Sequence, residues 1–319
     1  MRKVLASAVA LCLMLLGSVP VFAQDATPAA GGSATIIGND GAEAATVAVT
    51  DFADPFEDYD PNYAPILGYH FVMANITVEN TGTQPFSIYP TDFQLVDANG
   101  FTYYITQLSR SDQSGVADFS GQDSMSAGDK ASGALYFQVL NDAPLQSLVY
   151  YAQGNRIVTI ASLSPVATAP LGQPTTILDY DGTSWAEITP SGLQDPFTGY
   201  QPGYDPERGQ HYLLVNLKIT NTGERPLSFD PSAFYLVDNE GFAYSLAYLT
   251  FPEDSPLKAL QYTDSLAPGA SVSGVIAFQV VNGVDSAAIV FLGRGDRLVT
   301  IVDTTAAAPA ATPVATPGV

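Results

Sequence analysis

Apolar and polar side chains alternate along most of the chain, the pattern of strands with one buried face. From His70 the in-phase positions are Val72, Ala74, Ile76 and Val78, while Asn75, Thr77 and Glu79 fall on the other side. The same phase returns from His211 through Leu213, Val215, Leu217 and Ile219. Each run meets a turn, ENTGTQP (Glu79 to Pro85) or TNTGERP (Thr220 to Pro226), in which Gly82 and Gly223 are expected to supply a positive φ. DFQLVDANGFTYY and AFYLVDNEGFAYS then each read as strand, Asp-x-x-Gly turn and strand. AGDKASGALYFQV and PGASVSGVIAFQV place a turn before a long strand, and closing hairpins are expected around Gly154-Asn155 and Gly295-Asp296. The spacing predicts an all-β chain, with roughly seven or eight short strands per repeat arranged as a sandwich.

The repeat itself is explicit. Sliding the chain by 141 residues superimposes Asp54 to Ile160 on Asp195 to Ile301 without a gap, and 23 of 50 positions from Asp54 to Tyr103 are identical. A period of this length suits whole domains, each with its own core, rather than a solenoid. Composition sets the boundaries: residues 1–23 a signal peptide, 24–33 a small-residue leader, 34–163 the first domain, 164–176 an Ala/Pro/Thr/Gly linker, 177–303 the second domain and 304–319 a disordered tail.

Arg2 and Lys3 before VLASAVALCLMLL, with Val21-Phe22-Ala23 ahead of Gln24, give the signal-peptide pattern and a secreted, extracellular or envelope location. No run of the length a spanning helix needs is expected in the mature chain. Cys12 follows Leu11 inside the apolar run, so it is expected to leave with the signal rather than carry a lipid. Without residues 1–23, nine basic residues face 32 acidic ones, a net charge near −23 that makes nucleic acid an unsuitable partner.

Two stretches carry the candidate chemistry. DPFEDYDPNYAPILGYH (Asp54 to His70) and DPFTGYQPGYDPERGQH (Asp195 to His211) share prolines, aromatics and a closing histidine. Prolines and aromatics make a stiff, packed flap, expected to cover an open end of the sandwich. Asp54, Glu57, Asp58 and Asp60 in the first copy are candidate ligands for calcium, a hard cation that takes several oxygens. The second copy keeps only Asp195 of that set, with Thr198, Gly199 and Gln201 at the other positions. Tyr59, Tyr63, Tyr200 and Tyr204 are a candidate recognition surface for a protein or polysaccharide. His70 and His211 are read as hydrogen-bonded clamps on the flaps rather than metal ligands, since a copper or zinc site needs further His, Cys or Met partners.

Other motifs add little. Arg294-Gly295-Asp296 spells an adhesive tripeptide, but its equivalent is Gln153-Gly154-Asn155, so tight-turn chemistry accounts for both. There is no cysteine nucleophile in the mature chain, no Gly-x-Ser-x-Gly elbow, no phosphate loop and no zinc-hydrolase spacing. Thr106 to Gln122 and Ala247 to Thr263 are the least alike segments of equal length, where a difference in binding between the repeats is expected.

The order of these features, from the NTG turn with its proline through F-x-L-V-D-x-x-G to S-G and F-Q-V, resembles the telokin-like bacterial extracellular domains of unknown function. Their fold is similar to the Ig-like sandwich of a mycobacterial immunoprotective secreted antigen. The resemblance covers Thr46 to Ile160 and Glu187 to Ile301 and implies two tandem Ig-like (telokin-like) β-sandwich domains in an exported protein, with no established activity. Together these observations predict a non-catalytic secreted binding or structural module of the bacterial envelope, with no cofactor unless calcium, and an envelope protein or polysaccharide as partner. The alternatives are a calcium- or metal-responsive extracellular module and an antigen- or inhibitor-like protein acting through the divergent loops.

Overall fold

The computed structural model describes residues 32–110, 117–152, 156–165, 170–179, 181–293 and 297–304. The expected signal peptide, most of the expected leader, the middle of the expected linker, the expected tail and the expected closing-hairpin turns at Gly154-Asn155 and Gly295-Asp296 lie outside them. The described residues contain strands and short 3-10 turns and no α-helix.

The first domain runs through β1 (Ser33–Ile37), β2 (Glu43–Ala53), β3 (Tyr69–Glu79), β4 (Phe86–Ile88), β5 (Phe93–Asp97), β6 (Thr102–Tyr104), β7 (Gln122–Met125), β8 (Lys130–Leu140), β9 (Leu145–Ala152) and β10 (Arg156–Ser162). One sheet has the order β1-β2-β3-β8, the other β10-β9-β5-β6, and β4 pairs with β7 at the side. The second domain repeats this order with β11 (Thr175–Leu178), β12 (Ser184–Phe197), β13 (Gln210–Asn221), β14 (Leu227–Phe229), β15 (Phe234–Asp238), β16 (Ala243–Tyr244), β17 (Thr263–Leu266), β18 (Ser271–Val281), β19 (Ser286–Gly293) and β20 (Arg297–Asp303). Both domains are thus antiparallel β-sandwiches, each with ten described strands rather than seven or eight. The additional ones include two- to four-residue strands, too short to show alternation. Thr175 and Thr176, read from composition as linker, already pair with Ile188 and Glu187.

The alternation places the core as expected. Val72, Ala74, Ile76 and Val78 are fully buried between the sheets, as are Leu213, Val215 and Ile219 in the second copy. Each sandwich has its own cluster, joining Val47, Ile76 and Leu135 to Leu95, Leu148 and Ile160 in the first and Ile188, Leu217 and Ile276 to Leu236, Ile289 and Ile301 in the second.

The NTG turn works differently from the expectation. Neither Gly82 nor Gly223 has a positive φ. A Cβ on Gly82 would lie 2.7 Å from the Glu43 carbonyl oxygen, so glycine is there because strand β2 passes close by. The asparagine is the plug: buried Asn80 donates through Nδ2 to the carbonyls of Gln84 and Met125 at 2.9 and 2.7 Å and accepts from the Gly82 N–H at 3.0 Å. Asn221 makes the same three bonds to Arg225, Leu266 and Gly223. Asn80→Ala is expected to cost about 3 kcal/mol, because a buried carbonyl, a part-buried carbonyl and an N–H lose their partner together. An unchanged urea midpoint would show that water replaces the amide without penalty.

Buried tyrosines make the fold alkali-sensitive. Burial pushes the Tyr150 phenol up to about 12, with Asp92 adding to it, and raises Tyr103 and Tyr244 as well. Each contribution is present below the ordinary phenol pKa of about 10 and is lost as pH rises through the folded value, because the unfolded chain releases its proton first. For Tyr150 the loss amounts to about 3 kcal/mol. The urea midpoint is expected to fall between about pH 10 and 12, and Tyr150→Phe to lessen the fall. A midpoint flat across that range would contradict the assignment.

The two sandwiches pack on each other through equivalent surfaces. Val96, Val149 and Ile157, on the outward face of β5-β9-β10, form one cluster with Val237, Val290 and Ala243, while Leu298 packs at its edge. Each Asp-x-x-Gly turn reaches across: the Gly241 carbonyl accepts from the Ile157 N–H and the Gly100 carbonyl from the Leu298 N–H, both at 2.8 Å. The Arg156 guanidinium lies 3.1 Å over the Phe242 ring centroid, and that of Arg297 lies 3.4 Å over Phe101. Apart from Ala243, each of these contacts has its counterpart at an offset of 141 residues, as in an isologous dimer interface carried within one chain.

Candidate functional site

The two flaps lie between β2 and β3 and between β12 and β13. Each begins at a cis peptide bond, Asp54-Pro55 or Asp195-Pro196. Rather than covering an open end of the sandwich, the flap lies on the outer face of the β3-β8 sheet. Phe56 packs on Tyr136 with ring centroids 5.4 Å apart, and Tyr59 packs edge-on against Phe71 at 5.1 Å. In the second copy, Phe197 and Tyr200 close over Tyr212 and Leu214, and Tyr200 lies 5.4 Å from Tyr212. The outer-face positions of these strands are apolar at this end, with Phe71, Met73, Tyr212 and Leu214 all buried.

The divergent loops complete the cover. The Asp60 N–H donates to the Ser109 carbonyl at 2.8 Å, and the Gln201 N–H donates to the Thr250 carbonyl at 2.9 Å. In the first copy Arg110 sits in this seam, paired with Asp118 at 3.4 Å, and Tyr59 bridges to it through the backbone. Its equivalent is Phe251, which packs against Phe197 at 6.1 Å. Residues 111–116 of the first loop lie outside the described set.

The histidines clamp the flaps. His70 Nε2 is 2.6 Å from Asp54 Oδ1, and Nδ1 faces the Asn141 side-chain amide at 3.3 Å. His211 reaches Asp195 and Asn282 at 2.7 and 2.8 Å. The chain is further tied where the Asn141 N–H donates to the Gly68 carbonyl and the Asn282 N–H to that of Gly209, each at 2.9 Å. Gly68 and Gly209 have φ of 89° and 85°, which a side chain would resist. Each imidazole therefore joins the start of the flap, the start of a strand and the following turn. Both ring nitrogens are engaged, leaving neither turned to a substrate.

Two of the four acids proposed for calcium have other tasks. Asp54 holds His70, and Asp60 caps the 3-10 turn Pro61–Tyr63 by accepting from the Asn62 N–H and Nδ2, both at 2.9 Å. Among the described residues no three His, Cys, Asp or Glu side chains form a group able to hold a metal ion. The expected melting temperature is the same in calcium and in chelator. A rise of several degrees with calcium, lost in Asp58→Asn, would restore the cation site.

The four tyrosines divide into two roles. Tyr59 and Tyr200 pack inward, whereas Tyr63 and Tyr204 are 60% and 42% exposed at the flap tips. In the first copy Tyr63 is joined by Ile66 and Leu67, which are 65% and 98% exposed. Their equivalents Glu207 and Arg208 are exposed charges. The clasp is thus repeated while the tip it holds is not.

Fold and flap geometry define a tandem repeat of one all-β sandwich module. The family model described as a domain of unknown function (DUF4352) matches residues 39–156 and 190–293, and the chain belongs to that family. No curated protein matches it significantly. Among solved structures it is similar to the secreted protein MPT63 of Mycobacterium tuberculosis, at 18% identity and a TM-score of 0.34, covering 42% of this chain and 95% of that one. It is also similar to a candidate lipoprotein of Bacillus subtilis, at 18% identity and a TM-score of 0.30, covering 40% of this chain and 37% of the other. No described helix is long and apolar enough to cross a membrane.

Proposed function

We propose that the chain is a non-catalytic binding module exported to the cell envelope, displaying two different surfaces on one two-domain body. Its partner is an envelope polysaccharide or protein. The observation that carries this reading is the contrast within the flaps. The same Asp-His-Asn clasp fixes both backbones, yet it presents Tyr63, Ile66 and Leu67 in one copy and Tyr204, Glu207 and Arg208 in the other. Loops held rigid by a scaffold and varied at their tips are suited to recognition, because little entropy is lost when they bind. The engaged imidazoles and the signal-peptide pattern support an exported, non-catalytic role. The test is co-sedimentation of residues 24–319 with isolated cell-wall polysaccharide and, separately, with membrane-derived envelope fractions. Binding to either, weakened by Tyr63→Ser with Leu67→Ser, is the expected result. Failure to sediment with both would sink the reading.

A further inference from the structure

The divergent loop of the second domain encloses a feature the flaps do not have. A cavity of about 300 Å³ opens between this loop and the 3-10 turn Pro231–Ala233, with Tyr248, Tyr262, Leu246, Gln261, Asp230 and Ser232 in its lining. Tyr248 is 89% exposed and Tyr262 57% exposed. Neither phenol takes part in a hydrogen bond within the described chain.

Comparison of the two repeats shows how the cavity arises. In the first domain the position of Tyr262 is Gly121 and that of Asp230 is Tyr89. A Cβ on Gly121 would lie 2.7 Å from Tyr89 Cδ1, so the Tyr89 ring covers the backbone there. The second domain exchanges the two: the aromatic moves to the loop, and an aspartate takes the place of the ring. Tyr248, where the first copy has Gln107, adds a second ring. Asp230 Oδ1 caps the 3-10 turn by accepting from the Ser232 N–H at 2.9 Å. The same carboxylate lines the cavity.

We propose that this cavity binds one or two residues of a neutral polysaccharide, an inference that rests on the envelope-binding reading and gives it a site. Pyranose rings offer a flat face of aliphatic C–H groups that stacks on the electron-rich face of tyrosine, and hydroxyls that seek acceptors. The lining supplies two exposed tyrosines, a carboxylate, an amide and a serine, with no lysine or arginine to favour an anionic ligand. A chain of net charge −21 further opposes anionic polymers. The volume lies at the lower end of small-molecule sites, matching a short stretch of glycan rather than a folded partner.

The test is calorimetric titration of residues 24–319 with cellohexaose and chitohexaose as neutral probes and polygalacturonate as the anionic one. At least one neutral hexasaccharide is expected to bind, and Tyr248→Ala and Tyr262→Ala are each expected to weaken it about tenfold. Leu171→Ala, at an exposed side chain of the segment between the repeats, should leave that affinity unchanged, and melting curves confirm that the exposed substitutions keep the fold. Absence of binding by both neutral probes, affinity unaffected in Tyr248→Ala and Tyr262→Ala, or tighter binding of polygalacturonate would each overturn the proposal. Co-sedimentation with envelope fractions that survives Tyr248→Ala with Tyr262→Ala would remove this site while leaving the binding-module reading in place.

Discussion

The Phe101→Ala/Phe242→Ala double variant is expected to unfold in two separate transitions, whereas the native chain unfolds in one. Each ring covers a guanidinium from the other domain at 3.1 to 3.4 Å, and a desolvated cation–π contact is worth about 2 kcal/mol or more. Arg156 is only 6% exposed, and burial lowers its pKa, opposed chiefly by Asp238 across the interface. Its Nε and Nη2 donate to the Ile37 carbonyl and Asn39 Oδ1 at 3.0 and 3.2 Å, so the charge stays in place when the ring is removed. The variant therefore exposes a cation that had been shielded, and water enters beside the valine cluster. Two lost stacking contacts and their apolar area should weaken domain coupling by about 5 kcal/mol in total. Trp185, the only tryptophan, packs against Phe291 in the second core and reports that domain alone. Its fluorescence should coincide with far-ultraviolet dichroism on melting the native chain and part from it in the double variant. Coincident transitions in both would mean that the apolar cluster alone couples the domains.

This interface was the part of the fold least legible in the sequence, although its signal was present. A strand buried on one face alternates, and β3 does so clearly toward its C-terminal end. Strand β5, Phe93 to Asp97, is buried at every position, and Val96 lies on the face opposite Phe93 and Leu95. A run without alternation marks a strand covered on both sides. The same holds at the N-terminal end of β3, where Phe71 and Met73 lie under the flap and its neighbouring loop. Period-two reasoning finds the inner face and is silent about what covers the outer one, because the covering segments are distant in sequence. The duplication, the sandwich class and the histidine clamps followed from local pattern; the apposition of the two domains depends on long-range packing. The directions of the acidic side chains were hidden for a related reason. Asp54 and Asp60 are close in sequence, but one turns to His70 and the other caps its own turn, and spacing does not encode side-chain direction.

The second large effect is expected at the Asp-x-x-Gly turns, where Asp97→Ala and Asp238→Ala should each cost about 4 kcal/mol. Asp97 is 1% exposed and accepts from the Asn99 N–H, the Phe101 N–H and the Tyr103 hydroxyl at 2.8, 3.0 and 3.0 Å. Asp238 does the same for Glu240, Phe242 and Tyr244 at 2.9, 2.9 and 2.8 Å. Alanine leaves three donors without an acceptor in a buried setting, and hydrogen bonds to a charged acceptor are worth about 1.5–3 kcal/mol each before partial rescue by water. Burial raises the Asp97 pKa against the pull of these donors, so protonation is tolerated in the fold and acid alone is a poor mimic of the substitution. The turn also aims Gly100 and Phe101 at the other domain, so its loss should loosen the domain interface too. Asp97→Asn keeps an acceptor oxygen and is expected to retain more stability than Asp97→Ala in urea melts. Equal losses for the two would show that the negative charge, rather than the acceptor geometry, sets the turn. The same carboxylate therefore closes its own hairpin and presents the aromatic ring that holds the two sandwiches together.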